Sequence, residues 1–169
     1  MNAASETKTT ASRGADQQTF IVLGVLLQFL SSPEQINNQI SMMRGTVPPR
    51  SRYSTPQPRR SRDILCPEWF AGGLPVRRWQ TVTSGEVVFI PGNVRHALRN
   101  TSPSPTTTIT VSKLELYNFF RELARPSDPN SPPATPSPEE MQQLFSVAKK
   151  YEYWLASHDE NAAIDISLR

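Results

Sequence analysis

Histidine and cysteine are scarce in this chain: its 169 residues include two histidines, His96 and His158, and one cysteine, Cys66. A lone cysteine excludes an internal disulfide, so the fold must be held by its core, which a chain of this length can build. It also makes a reducing, cytoplasmic setting the default expectation. Long apolar runs are missing as well. The most apolar stretch, FIVLGVLLQFL at 20–30, has 11 residues, against the roughly 20 that a membrane-spanning helix needs. Asp16, Gln17 and Gln18 precede it, and no small-residue cleavage site follows, which argues against a secretion signal. The length fits one domain with loose ends.

Basic charge is plentiful only in one place. Between positions 50 and 78 lie seven arginines against Asp63 and Glu68, a local net of +5 in a chain whose formal total is +3. Everything outside that window therefore sums to −2, and the chain as a whole is not basic. The arginines carry no aromatic stacking pattern, helical period or zinc-ligand spacing, so nucleic acid is not the expected partner.

Residues 1–18 are small and polar without apolar period and are expected to form a disordered N-terminal arm. From Thr19 to Leu30 β-branched and aliphatic residues are broken by Gly24, which predicts two short strands with a turn. QISMMRGTV (39–47) alternates as a third strand. RWQTV (78–82), a turn at Ser84 and Gly85, and EVVFI (86–90) predict a hairpin. HALRN (96–100) and TTTITVS (106–112) continue the β pattern. Ser112 and Glu115 then form a capping-box pair ahead of Leu116, Phe119, Phe120 and Leu123 at helical spacing. Residues 125–137 form a Pro/Ser linker. Ser137, Pro138 and Glu140 open a second amphipathic helix over 138–155, with Met141, Leu144, Phe145, Ala148 and Tyr151 on its apolar face. Residues 156–169, with His158, read as a solvated tail. Many short strands followed by two helices predict an all-β barrel or jelly roll with a helical C-terminal ending.

The informative stretch is GEVVFIPGNVRHALRN, residues 85–100. A turn at Gly85, five residues of strand, Pro91, a tight turn at Gly92 and Asn93, then His96 and Asn100 come in fixed order. This resembles the second motif of the cupin superfamily, a glycine, five residues, then P-x-G-x-x-H-x-x-x-N. Asn93 stands where that family has glycine, a mild departure because asparagine tolerates positive φ. The resemblance covers roughly 19–155 and implies a cupin-type jelly-roll barrel spanning 19–124 with the first helix. It implies that His96 points into the barrel as a metal ligand or as a structural histidine. Gly85, Pro91, Asn93 and Asn100 would shape the motif's turns and support the histidine, while Met42, Trp79 and Phe89 are candidate pocket walls.

Metal-binding cupins take their remaining ligands from an earlier H-x-H motif followed by glutamate. Its place here is 50–78, which has no histidine and is poor strand material, with four prolines among its arginines. Read one nucleotide later, the codons allowed for Pro49 to Arg78 permit approximately G-I-P-P-H-S-H-A-E-A-E-T-F-Y-V-L-S-G-S-L-E-V-Y-R. Trp69 has a single codon and forces the glycine in that peptide. The expectation is that the missing ligands are encoded out of frame, leaving the chain as written short of about two central strands. With them restored, the site would suit Fe(II) or another divalent ion; without them, no cofactor is expected.

The C-terminal ending resembles that of small cupin-domain oxidoreductases of fungal polyketide clusters. That likeness implies oxidation or redox-neutral rearrangement of a polyketide or aromatic intermediate in secondary metabolism. The alternatives are a metal-free ligand-binding or isomerase-type cupin, in which His96 is an acid or base or merely packs, and an inactive product of a damaged gene. The expected partner is a small-molecule substrate, not a membrane or nucleic acid, and a homodimer suits the architecture.

Overall fold

The computed structural model describes residues 18–31, 39–54, 57–58, 68–72, 79–92, 94–128, 136–164 and 166; of these, 52–54, 57–58 and 68–72 are described through backbone pairing. Residues 1–17 of the N-terminal arm, 129–135 of the linker, Asn93 and much of 55–78 lie outside the described residues.

The apolar stretch near the N-terminus folds as β1 (Phe20–Val22) and β2 (Val25–Phe29), joined by Leu23 and Gly24 at φ 51° and 83°. Two positive φ angles are what a two-residue type I′ hairpin needs. Next, β3 (Ile40–Val47) pairs with β2 and, over eight residues, with β9 (Thr106–Lys113). A short strand, Arg125–Pro126, closes the far side against β1, giving a five-stranded antiparallel sheet. That pair lies within the expected linker: Pro126 disfavours helix at the preceding residue, and the extended backbone there is taken up by β1.

The second sheet contains β4 (Ser51–Ser54), β8 (Arg95–Asn100), β6 (Glu68–Gly72) and β7 (Trp79–Thr81), in that order. Strands on both sides of β8 therefore come from the arginine-rich region, so the expected loss of central strands does not hold at β8. The expected hairpin of 78–82 with 86–90 is not formed either. β7 pairs with β6, and residues 86–90 run as unpaired backbone with Val87 79% and Phe89 60% exposed. A run of β-branched and aromatic residues predicted a strand, but no strand pairs with it among the described residues.

Helices α1 (Leu114–Leu123) and α2 (Pro138–Lys150) follow. The predicted capping box at α2 is present: the Ser137 hydroxyl accepts from Glu140 N at 3.2 Å and Ser137 N donates to Glu140 Oε2 at 2.7 Å. The one predicted at α1 is not. Lys113 is its N-cap without a side-chain bond, and the Ser112 hydroxyl instead meets Ser41 Oγ at 2.9 Å in a buried pair across β3 and β9. On α2, Leu144, Val147 and Ala148 are buried while Phe145 stands exposed. The helix ends at Lys150, five residues early, and Tyr153–Trp154 (β11) pair with Gln57–Pro58 (β5). The supposed tail carries a third helix, α3 (His158–Ala162), with its own capping box from Ser157 and Glu160, and beyond it Ile166 is 1% exposed.

These coverings define the barrel. Leu27 and Met43 of the five-stranded sheet pack with Leu116, Phe119, Leu144, Val147, Ala148 and Tyr153, so α1 and α2 cover one of its faces. By strand alternation its other face carries Ile21, Leu26, Gln28, Met42, Arg44, Thr46, Ile109 and Val111. On β8, the odd positions are covered from behind. Ala97 packs on Ile166, with Ile164 and Trp79 beside them, while Arg95 stacks over Trp154 at 4.2 Å and bonds Glu160 at 2.8 Å. Each sheet thus has one sheathed face; in a double-sheet barrel the opposite faces are the inner ones.

Candidate functional site

His96 follows Arg95 on β8 and takes the opposite, inner direction, where it is 8% exposed. Its Nδ1 lies 3.0 Å from the Val94 carbonyl oxygen. A carbonyl only accepts, so Nδ1 carries the proton and Nε2 of the neutral ring carries the lone pair. Burial pushes the imidazole below its ordinary pKa, partly opposed by the Val94 bond. The ring is therefore neutral at physiological pH, and its Nε2 is buried.

The rest of the motif builds the support for this strand. Gly85 has φ 90°, and its turn is closed by Glu86 N donating to Thr83 O at 3.1 Å. The Glu86 carboxylate accepts from Thr83 N and Oγ1, which lowers its pKa. After Pro91, whose carbonyl accepts from Val94 N at 3.4 Å, the chain enters β8. Asn100 ends that strand, 1% exposed. Its Nδ2 donates to the carbonyls of Val47, Pro48 and Ser104 at 3.2, 3.1 and 2.8 Å, and its Oδ1 accepts from Ser102 N and Oγ. One amide thus ties the end of β8 to the corner where β3 leaves for β4.

The other expected pocket residues do not gather around His96. Trp79 lies on the sheathed side of β8, under the Arg99 guanidinium at 4.0 Å and beside Ala97 and Ile166. Phe89 is out in solvent. Met42 is on the face of β3 opposite the helices, 37% exposed. His158 stands on α3 with its side chain 82% exposed. Sequence reasoning missed the sheath behind β8, although the Ser157-x-x-Glu160 capping pair was legible. It also missed the polar row that Arg44 makes with Gln28, because neither belongs to a recognisable motif.

Among the described residues the donor set does not fit a metal. His96 is the one imidazole directed inward, and among the described residues no group of three or more histidine, cysteine, aspartate or glutamate side chains could hold an ion. Among the same residues no helix is long and apolar enough to cross a membrane.

No protein-family model matches the sequence, and no curated protein matches it. Solved structures do. The polyketide cyclase RemF from Streptomyces resistomycificus superposes with a TM-score of 0.50 at 13% identity, covering 62% of this chain and 79% of that one. A cupin-2 domain protein from Rhodospirillum rubrum gives 0.48 at 13% identity over 86% and 93%, and an RmlC-like cupin from Shewanella frigidimarina 0.44 at 19% over 62% and 90%. At such identities the likeness is one of fold. The chain has the cupin fold, a double-sheet barrel with C-terminal helices.

Proposed function

We propose that this chain is a small-molecule cupin enzyme that moves protons on a polyketide or aromatic intermediate, with His96 as its acid–base group. The observation that carries this reading is the Nδ1 contact to the Val94 carbonyl, which leaves the Nε2 lone pair of a buried, neutral ring facing the interior. Such a ring abstracts an acidic C–H proton next to a carbonyl, becomes imidazolium while the substrate becomes enolate, and returns the proton at another atom. General base catalysis of this kind contributes about 10²–10⁴-fold. The substrate class comes from RemF, a polyketide cyclase of the same fold, and is an analogy of fold.

The test is exchange of α-protons of an aryl 1,3-diketone in D2O, followed by NMR. Acceleration by the protein that is lost in His96→Gln supports the reading; equal rates with and without protein contradict it.

A second reading is favoured by the peptide hidden one nucleotide out of frame between Pro49 and Arg78. In a product with that frame restored, an H-x-H pair and a carboxylate would join His96, and the enzyme would be a metal-dependent oxidoreductase of the same substrates, Fe(II) being the suited ion. Sequencing the transcript across these codons tests it, with stoichiometric iron in the purified product as the second readout. An uninterrupted frame encoding the arginine-rich peptide rules it out. A cytoplasmic setting and a homodimer remain part of the proposal.

A further inference from the structure

Arg44 lies on the inner face of the five-stranded sheet, half-buried, and makes no ion pair among the described residues. It sits in a row that crosses the strands. Thr19 Oγ1 accepts from Gln28 Nε2 at 3.1 Å, and Gln28 Oε1 accepts from Arg44 Nη1 at 3.1 Å. Register places Gln28 and Ile109 directly opposite Arg44 on either side. The neighbouring pair on the same face is Met42 with Val111, each 37% exposed. A guanidinium has five N–H donors, of which Gln28 occupies one. The Gln28 bond fixes the plane of the fork without neutralising its charge, since an amide oxygen carries none. A half-buried cation without a counter-charge is costly to keep, and open apolar side chains on an inner face mark ligand-binding surface.

We propose that Arg44 is the substrate-recognition residue of the barrel, taking an anionic oxygen of the ligand while Met42, Ile109 and Val111 carry a flat apolar body. The ligand class is an aromatic or conjugated compound with a carboxylate or an ionised enol oxygen, whose two lone-pair directions match the arginine fork. Lys113 shares this face, but it is exposed at the start of α1 and its hydrated ammonium is a poorer partner for such an oxygen. The inference rests on and deepens the small-molecule reading above, and names what this face selects.

The experiment is binding of benzoate and of benzamide, its neutral isostere, to the full chain, measured by calorimetry. Wild type is expected to prefer benzoate. Arg44→Gln is expected to bind benzoate about tenfold more weakly, the size of one lost charge-assisted hydrogen bond, with benzamide unchanged. Gln28→Glu keeps Arg44 in place but supplies an internal carboxylate, and should abolish the preference in a protein that melts as wild type does. No preference in wild type, or a preference that survives both variants, overturns the proposal. His96→Gln separates the two ideas: retained benzoate preference with lost proton exchange supports both, whereas retained preference in a wild type without exchange sustains Arg44 recognition and sinks only the acid–base reading.

Discussion

Replacing Asn100 by alanine removes a side chain whose two N–H groups serve the carbonyls of Val47, Pro48 and Ser104 and whose oxygen takes two bonds from Ser102. The residue is 1% exposed, so water cannot fully replace these partners. Hydrogen bonds are worth about 1 kcal/mol each net, and a buried carbonyl left without a donor costs about 1–3 kcal/mol. Ser104 O keeps a second donor in Ser102 Oγ at 2.7 Å, which leaves the corner carbonyls as the main loss and a total of about 3 kcal/mol. Against a stability of about 5–15 kcal/mol this is severe but survivable. In urea unfolding the midpoint should fall by about 1.5 M at an unchanged slope of about 2 kcal/mol/M. Asn100→Asp should be worse than alanine, because it turns a carboxylate toward three carbonyl oxygens. A cost below about 0.5 kcal/mol for alanine, the range of ordinary surface changes, or an aspartate variant as stable as wild type, would refute the role given to this amide.

Burial disfavours the imidazolium of His96 and lowers its pKa in the folded chain, so the unfolded chain binds the proton first as pH falls. Stability present above about pH 6.5 should therefore be lost on acidification, and urea titrations at about pH 7.5 and 5.5 should show a drop that His96→Gln reduces; an unchanged drop counts against a buried imidazole. Ile166→Ala, on a residue 1% exposed against Ala97, should cost about 2–4 kcal/mol and raise amide exchange along β8 more than along β3; a neutral effect would mean the C-terminal segment does not seat that strand. Phe89→Ser should change stability by less than about 0.5 kcal/mol, because the ring is 60% exposed; a loss of about 3 kcal/mol, the core value, would put Phe89 inside after all.

The elements legible in the sequence were those whose signal is local. Gly24 marked the β1–β2 hairpin and Ser137-Pro138-x-Glu140 the start of α2 because turn and cap chemistry act within four residues. The motif around His96 was legible for the same reason, down to the buried position of the histidine and the tied Asn100. What pattern could not supply was partnership. Residues 86–90 have the β-branched and aromatic composition of a strand, yet strand formation needs an edge to pair with, and β7 pairs with β6 instead. Ser112 had the residue type of a cap, but Ser41 offered it a buried hydroxyl across the sheet. Trp79 looked like a pocket wall, although the face a side chain takes is decided by register, which the sequence of 50–78 obscured. The C-terminal sheath depends on contacts between residues some 65 positions apart, Arg95 with Glu160 among them, and no local pattern announces those.

The chemistry proposed for His96 depends on where its ring proton sits. A long-range 1H–15N spectrum of the imidazoles, recorded on His158→Gln so that one ring remains, reads the tautomer directly. The structure predicts a neutral ring protonated at Nδ1 near pH 7, with Nε2 showing the shift of an unprotonated nitrogen. A ring protonated at Nε2, or one already imidazolium at that pH, would contradict the inward, basic histidine on which both the fold's chemistry and its proposed function rest.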